Sequence, residues 1–249
     1  MKIKRFFLVA VALCWSSYAF SQCETDFSVY REYYKQWKDN KFNPKSINPQ
    51  MISSWRHVLL NCPSFKQYTY LDGANIVAYA FINTTKDPDL RNKYVDTLIM
   101  VYDNRAKYFP KDKNGSQVGN IMGRKGLDLI KWAPDRYEEA YQALKQALEL
   151  DGENANSAFM DSYFQMTITM AKNGKLDEAV ILDEYSRLMD MVDNNIRKYT
   201  EADNEKEVNN FKGVKANLDA AVEPYANCED LCRIYQPKFE ADPNNVELL

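Results

Sequence analysis

The sequence predicts an all-α chain whose helices pair antiparallel and stack as an α-solenoid. Three observations predict it. From Tyr68 onward apolar residues recur at three- and four-residue spacing between short polar breaks, and no stretch alternates apolar with polar residues long enough to read as a strand. Gly and Pro are few, eight and nine, and no Ser- or Gly-rich linker divides the chain. Helices of about twelve to twenty residues joined by short turns cannot each bury an apolar face alone, so they must stack on their neighbours. The expected organisation is a signal peptide over residues 1–21 and one array over 22–249. That array comprises an N-terminal helical hairpin (22–64), stacked helix pairs (65–241) and the start of a truncated helix (242–249).

The first residues read as an export signal: basic Lys2, Lys4 and Arg5, an apolar run from Phe6 to Trp15, then small residues, with cleavage after Ala19 or, favoured, Ser21. The run is too short to span a bilayer, and no later stretch approaches the ~18 apolar residues that spanning requires. A periplasmic location follows. Removing the signal takes the formal charge from -3 to about -6, which argues against nucleic acid as a partner. Cys23, Cys62, Cys228 and Cys232 remain after cleavage and, in an oxidising compartment, read as disulfide candidates. Predicted helices over 25–39 and 49–61 have nearly equal length. In an antiparallel pair the start of the first meets the end of the second, which places Cys23 beside Cys62. A bridge there closes a loop of about forty residues, a stabilisation of roughly 3 to 4 kcal/mol in the chain-entropy model. The rival fate of Cys23, lipidation, requires a small residue before it, where Gln22 stands.

The remaining helices follow in order. Leu71, Ala74, Ala78 and Phe81 mark one, ended by Lys86–Asp89, and Tyr94, Leu98, Val101, Tyr102 and Arg105 mark the next, stopped at Phe109 and Pro110. The polar loop Lys111–Gln117 carries Gly115. Helices are then predicted over 120–132 and 137–150 around Ala133, Pro134 and Asp135, over 158–171 and 176–192 around Asn173, Gly174 and Lys175, and over 205–222 and 229–239. Asp242 and Pro243 followed by Val246, Leu248 and Leu249 open a further helix at which the sequence stops, as expected either of a fragment of a longer array or of a last helix cut short that leaves the solenoid end uncapped.

Tyr137–Glu138–Glu139–Ala140 and Leu176–Asp177–Glu178–Ala179 open two second helices, their alanines 39 positions apart by residue number. The segment YEEAYQALKQALELDGEN (137–154) resembles the second half of a tetratricopeptide repeat, with Ala140 and Ala147 at close helix approaches, and NGKLDEAVILDEYSRL (173–188) is similar in its turn Gly and Ala179. The spacing exceeds the family's 34-residue period. The first helices, Arg124–Lys131 and Tyr163–Met170, lack its usual Trp, Leu-Gly and Tyr combination. The phrases KYVDTLIMVYDNRAKYFP and GRKGLDLIKWAP also look like periplasmic tetratricopeptide proteins of Bacteroidota. The resemblance implies a right-handed solenoid of irregular repeats whose first helices line a concave face that grips a protein or peptide. On this chain it puts Asn75, Tyr79, Lys125, Leu129, Trp132, Phe164 and Ile168 on or near that groove. The triplet Asp96–Thr97–Leu98 resembles the O-glycosylation signal of the same proteins, with Thr97 as acceptor.

Constellations for catalysis are thin. The one histidine, His57, supports neither a His-based triad nor a zinc site needing two His. Gly115, Gly119, Gly123 and Gly126 beside Arg124 and Lys125 lack the order of a phosphate loop and read as a turn entering a closely packed helix. Asp151, Glu153 and Asn154 lack calcium-loop spacing and read as a solvated turn. Tyr94, Tyr102, Tyr137, Tyr141, Tyr163 and Tyr185 fall on apolar stripes and read as core. Cys228 and Cys232 form a C-x-x-x-C pair open to three readings: a strained local disulfide, partners elsewhere, or buried thiols. The expectation is a non-catalytic exported adaptor without metal or cofactor. Its alternatives are a thiol-active envelope protein working through Cys228 and Cys232, and a structural subunit assembling through its C-terminal end.

Overall fold

The structure, a computed structural model, describes residues 3–227 with residues 229, 232, 236, 239 and 240, and side chains from residue 21 onward. The described residues are all-helical apart from one two-residue hairpin, and they fall into two compact units, Met1–Gln117 and Val118–Leu249. No described helix is long and apolar enough to cross a membrane.

In the first unit, α1 (Ile3–Asp39) and α2 (Pro49–Asn61) form the expected hairpin. The sequence starts this first helix at residue 25, but the helical backbone is continuous from Ile3. Helix α2 begins where Asn48 accepts a hydrogen bond from the Gln50 amide and Pro49 fills the first turn, a position where its missing N–H costs nothing. Cys23 and Cys62 are bonded with Cα atoms 6.1 Å apart, both buried, so the bridge joins the start of the described α1 side chains to the cap of α2. Helix α3 (Tyr68–Asn75) continues as a π-helical segment, Ile76–Ile82, which periodicity does not reveal. Helix α4 (Pro88–Tyr108) opens where Asp87 accepts from the amides of Asp89 and Leu90. Trp37, Trp55, Tyr70, Ile76 and Leu98 are buried between these helices. The loop expected over 111–117 holds strands β1 (Lys111–Asp112) and β2 (Gly115–Ser116), paired antiparallel and fully exposed.

In the second unit, α5 (Val118–Trp132), α6 (Tyr137–Asp151), α7 (Ser157–Lys172), α8 (Ala179–Glu201) and α9 (Glu205–Val222) each pack on the next, and α7 also touches α5 and α9. The glycines of α5 explain its close approach. A side chain at Gly123 would meet the Phe159 ring of α7, and one at Gly126 would meet Leu144 of α6. Helix α8 departs from the expected 176–192 at both ends. Asp177 accepts from the Ala179 amide, so helical bonding starts later. Beyond Val192 the polar run Asp193–Asn194–Asn195 stays helical because Asn195 is buried, donating to Glu153 O and Met191 O, while Asn194 and Lys198 reach Glu153 and Asn154. Asp151, Glu153 and Asn154 therefore form a tied turn. Of the predicted helix over 229–239, residues 229, 232, 236 and 239 are described and helical, and the one opening at 242–249 lies outside the described residues.

Candidate functional site: the α1–α3 seam

Helix α3 and its π-helical continuation place Tyr68, Asp72, Asn75 and Tyr79 at spacings of four, three and four, so they share one face. Helix α1 offers Tyr30, Arg31 and Tyr34 against it. The Arg31 guanidinium donates to the Asp72 carboxylate and lies over the Tyr68 ring, 4.5 Å from its centroid. Tyr30 donates its hydroxyl to Asp72, and Asn75 donates its amide to the Tyr34 hydroxyl at 2.9 Å. Phe42, just past α1, stacks on Tyr79 with ring centroids 4.7 Å apart. The side chain of Asp72 is 8% exposed and that of Arg31 35%, while Tyr68 is 53% exposed, so a buried acid anchors a cation at an open aromatic edge.

Burial raises the Asp72 carboxyl above its ordinary range, although the hydrogen bond and charge of Arg31 oppose it. Burial and then the Asp72 charge push Tyr34 up to about 12, and the same two causes raise Tyr30 further. Burial works against the charge on Arg31, yet the hydrogen bond and charge of Asp72 hold its pKa above the ordinary value. Two backbone departures meet at the same seam. One is the π-helix, a conformation frequent at functional sites. The other is the pair Lys41 and Phe42, both left-handed at φ 55 and 57, a conformation that costs non-glycine residues about 1–2 kcal/mol each. Clustered titratable groups with perturbed protonation mark functional sites. Here they surround a fixed guanidinium and rings, an arrangement that holds a ligand by hydrogen bonding and stacking.

Of the residues expected on a groove, Asn75 and Tyr79 lie in this seam. Leu129, Phe164 and Ile168 are buried in the core of the second unit. They carry the apolar stripes that pack α5 and α7. Lys125 lines an open polar groove of about 660 Å³ with Glu138, Gln142, Ala143, Gln146 and Glu149 of α5 and α6. Glu138 is paired there with Lys175 at 2.8 Å. Trp132 is half-buried beneath Lys131. Thr97 is half-buried on α4, its hydroxyl donating to Lys93 O. His57 Nδ1 sits 2.9 Å from Asp26 on the hairpin surface. Cys232 is an exposed free thiol, and Cys228 lies outside the described residues. Among the described residues no three His, Cys, Asp or Glu gather to hold a metal ion.

Arg31, Tyr68 and Asp72 carried no sequence signal by themselves. The signal that could have found them is the pair of matching spacings, Tyr68/Asp72/Asn75/Tyr79 against Arg31/Lys35/Lys38. Compared with protein-family models, curated proteins and solved structures, the chain matched none.

Proposed function

We propose that the chain is an exported, periplasmic, non-catalytic adaptor of tetratricopeptide-like helix pairs that binds a protein segment in the α1–α3 seam. The observation that supports this most is the convergence of a buried Asp72, an oriented Arg31 and partly exposed Tyr68 and Tyr79 on one seam between α1 and α3. The packing of the second unit, in which alternate helices α5, α7 and α9 touch, favours a solenoid of the same kind. The buried Cys23–Cys62 bridge favours an oxidising compartment.

The test is affinity capture of the mature chain from an envelope fraction, with Tyr68→Ala beside it. A defined partner captured by the wild type and lost from the variant supports the reading. A partner indifferent to the seam, or none, overturns it. The exposed thiol of Cys232 favours a second reading, a thiol-active protein. Replacing Cys228 and Cys232 by Ser leaves capture intact under the adaptor reading and abolishes it under the thiol reading.

A further inference from the structure

The lip of the seam on α1 is basic in a protein that is acidic overall. Arg31, Lys35, Lys38 and Lys41 recur at spacings of four, three and three, so the first three lie on one face of α1. Glu32 and Asp39 flank Lys35 three positions before and four after, so the stripe is basic by excess and not free of acid, and Glu32 accepts from Gln36. Lys35, Lys38 and Lys41 are exposed, and none of them is within ion-pairing distance of a carboxylate among the described residues. Lys38 lies near enough to bear on the charge of Asp72, so the stripe runs beside the seam. Arg31 spends one nitrogen on Asp72 and one face on Tyr68, and its other N–H donors have no hydrogen-bond partner among the described residues. A guanidinium fixed in this way presents a ready-made fork to a carboxylate.

Resting on the adaptor reading above, we propose that the seam takes an acidic, aromatic-bearing protein segment. A carboxylate of that segment is seated on Arg31, its neighbours are steered by Lys35 and Lys38, and its rings lie against Tyr68 and Tyr79. Charge complementarity decides the occupant. Three unpaired lysines beside an oriented arginine repel a basic segment and leave a neutral one with nothing to set its register. The stripe from residue 31 to 41 is about 15 Å long, the span of four or five residues of extended chain.

The test uses the mature chain and fluorescent synthetic peptides of alternating Glu and Tyr, Gln and Tyr, and Lys and Tyr, read by polarisation. Vesicles of phosphatidylglycerol stand beside them. The expected result is saturable binding of the Glu–Tyr peptide alone, weakened about tenfold by Lys35→Glu with Lys38→Glu and weakened again between about 50 and 200 mM salt. Both lysines are exposed, so the double variant keeps its fold, which circular dichroism checks. Arg31→Lys retains the charge and loses the fork, and it should weaken binding by a comparable factor while keeping the salt dependence. Equal binding of the Gln–Tyr peptide, indifference to the double reversal, or binding to the vesicles without the peptide overturns the proposal. A captured partner that needs Tyr68 yet ignores the lysine reversals overturns the acidic segment and leaves the adaptor reading standing. No partner and no peptide binding overturns both.

Discussion

Asp72 is a carboxyl whose ionisation the fold opposes. Its folded pKa is raised above the ordinary carboxylate value, so its stabilising contribution is complete below that value and is lost as pH rises through the folded pKa. Asp72→Asn has no such loss. Urea denaturation of both chains should therefore show the wild type losing ground to Asp72→Asn from about pH 4 upward. A gap that widens in the other direction would mean that Arg31 overcompensates the burial. Two glycines give a second contrast at this scale. Ala at Gly123 would meet the Phe159 ring and should cost about 1–3 kcal/mol. Gly213, mid-helix with open space around it, should gain about 0.5–1 kcal/mol from Ala. Denaturant midpoints of the two variants should thus move in opposite directions.

At the scale of elements, the disulfide ties α1 to α2 across 39 positions. Its loss, by Cys62→Ser or by reduction, should cost about 4 kcal/mol in the chain-entropy model, and a thermal melt with and without reductant measures it. This hairpin was legible because Asn48 and Pro49 announce α2 and because equal helix lengths bring the two cysteines together. The opening of α9 at Glu205 was legible for a similar local reason, Asn204 accepting from the Glu207 amide. The far end of α8 was not. Asp193, Asn194 and Asn195 look like a break in a linear reading, and only the turn at Glu153 and Asn154, some forty residues earlier in the sequence, satisfies them as helix. The seam was half legible for the same reason. Asn75 and Tyr79 sit on a regular face, but the meaning of Asp72 depends on Arg31, 41 residues away.

For the whole molecule, the two units meet in sequence at the short β1–β2 hairpin, whose residues Lys111 to Ser116 are all exposed. Exposed polar tips are where proteases cut first. Brief trypsin treatment should therefore cleave beside Lys111 or Lys113 before any helix, and mass spectrometry of the early fragments checks it. Early cuts within the helices of either unit would mean that this unit opens more readily than the hairpin. The π-helical segment has a consequence of another sort. Deleting one residue from Ile76–Ile82 would restore ordinary α-helical winding and leave the turns on either side close to their present phase, because the wider π turn absorbs the extra residue. Phe81 could then still stack on Tyr94 while Asp72 still faced Arg31. The π segment is thus the one stretch of this helix that tolerates the loss of a residue, whereas the same deletion within Tyr68–Asn75 would turn the residues before it by about 100° and re-aim the seam's face.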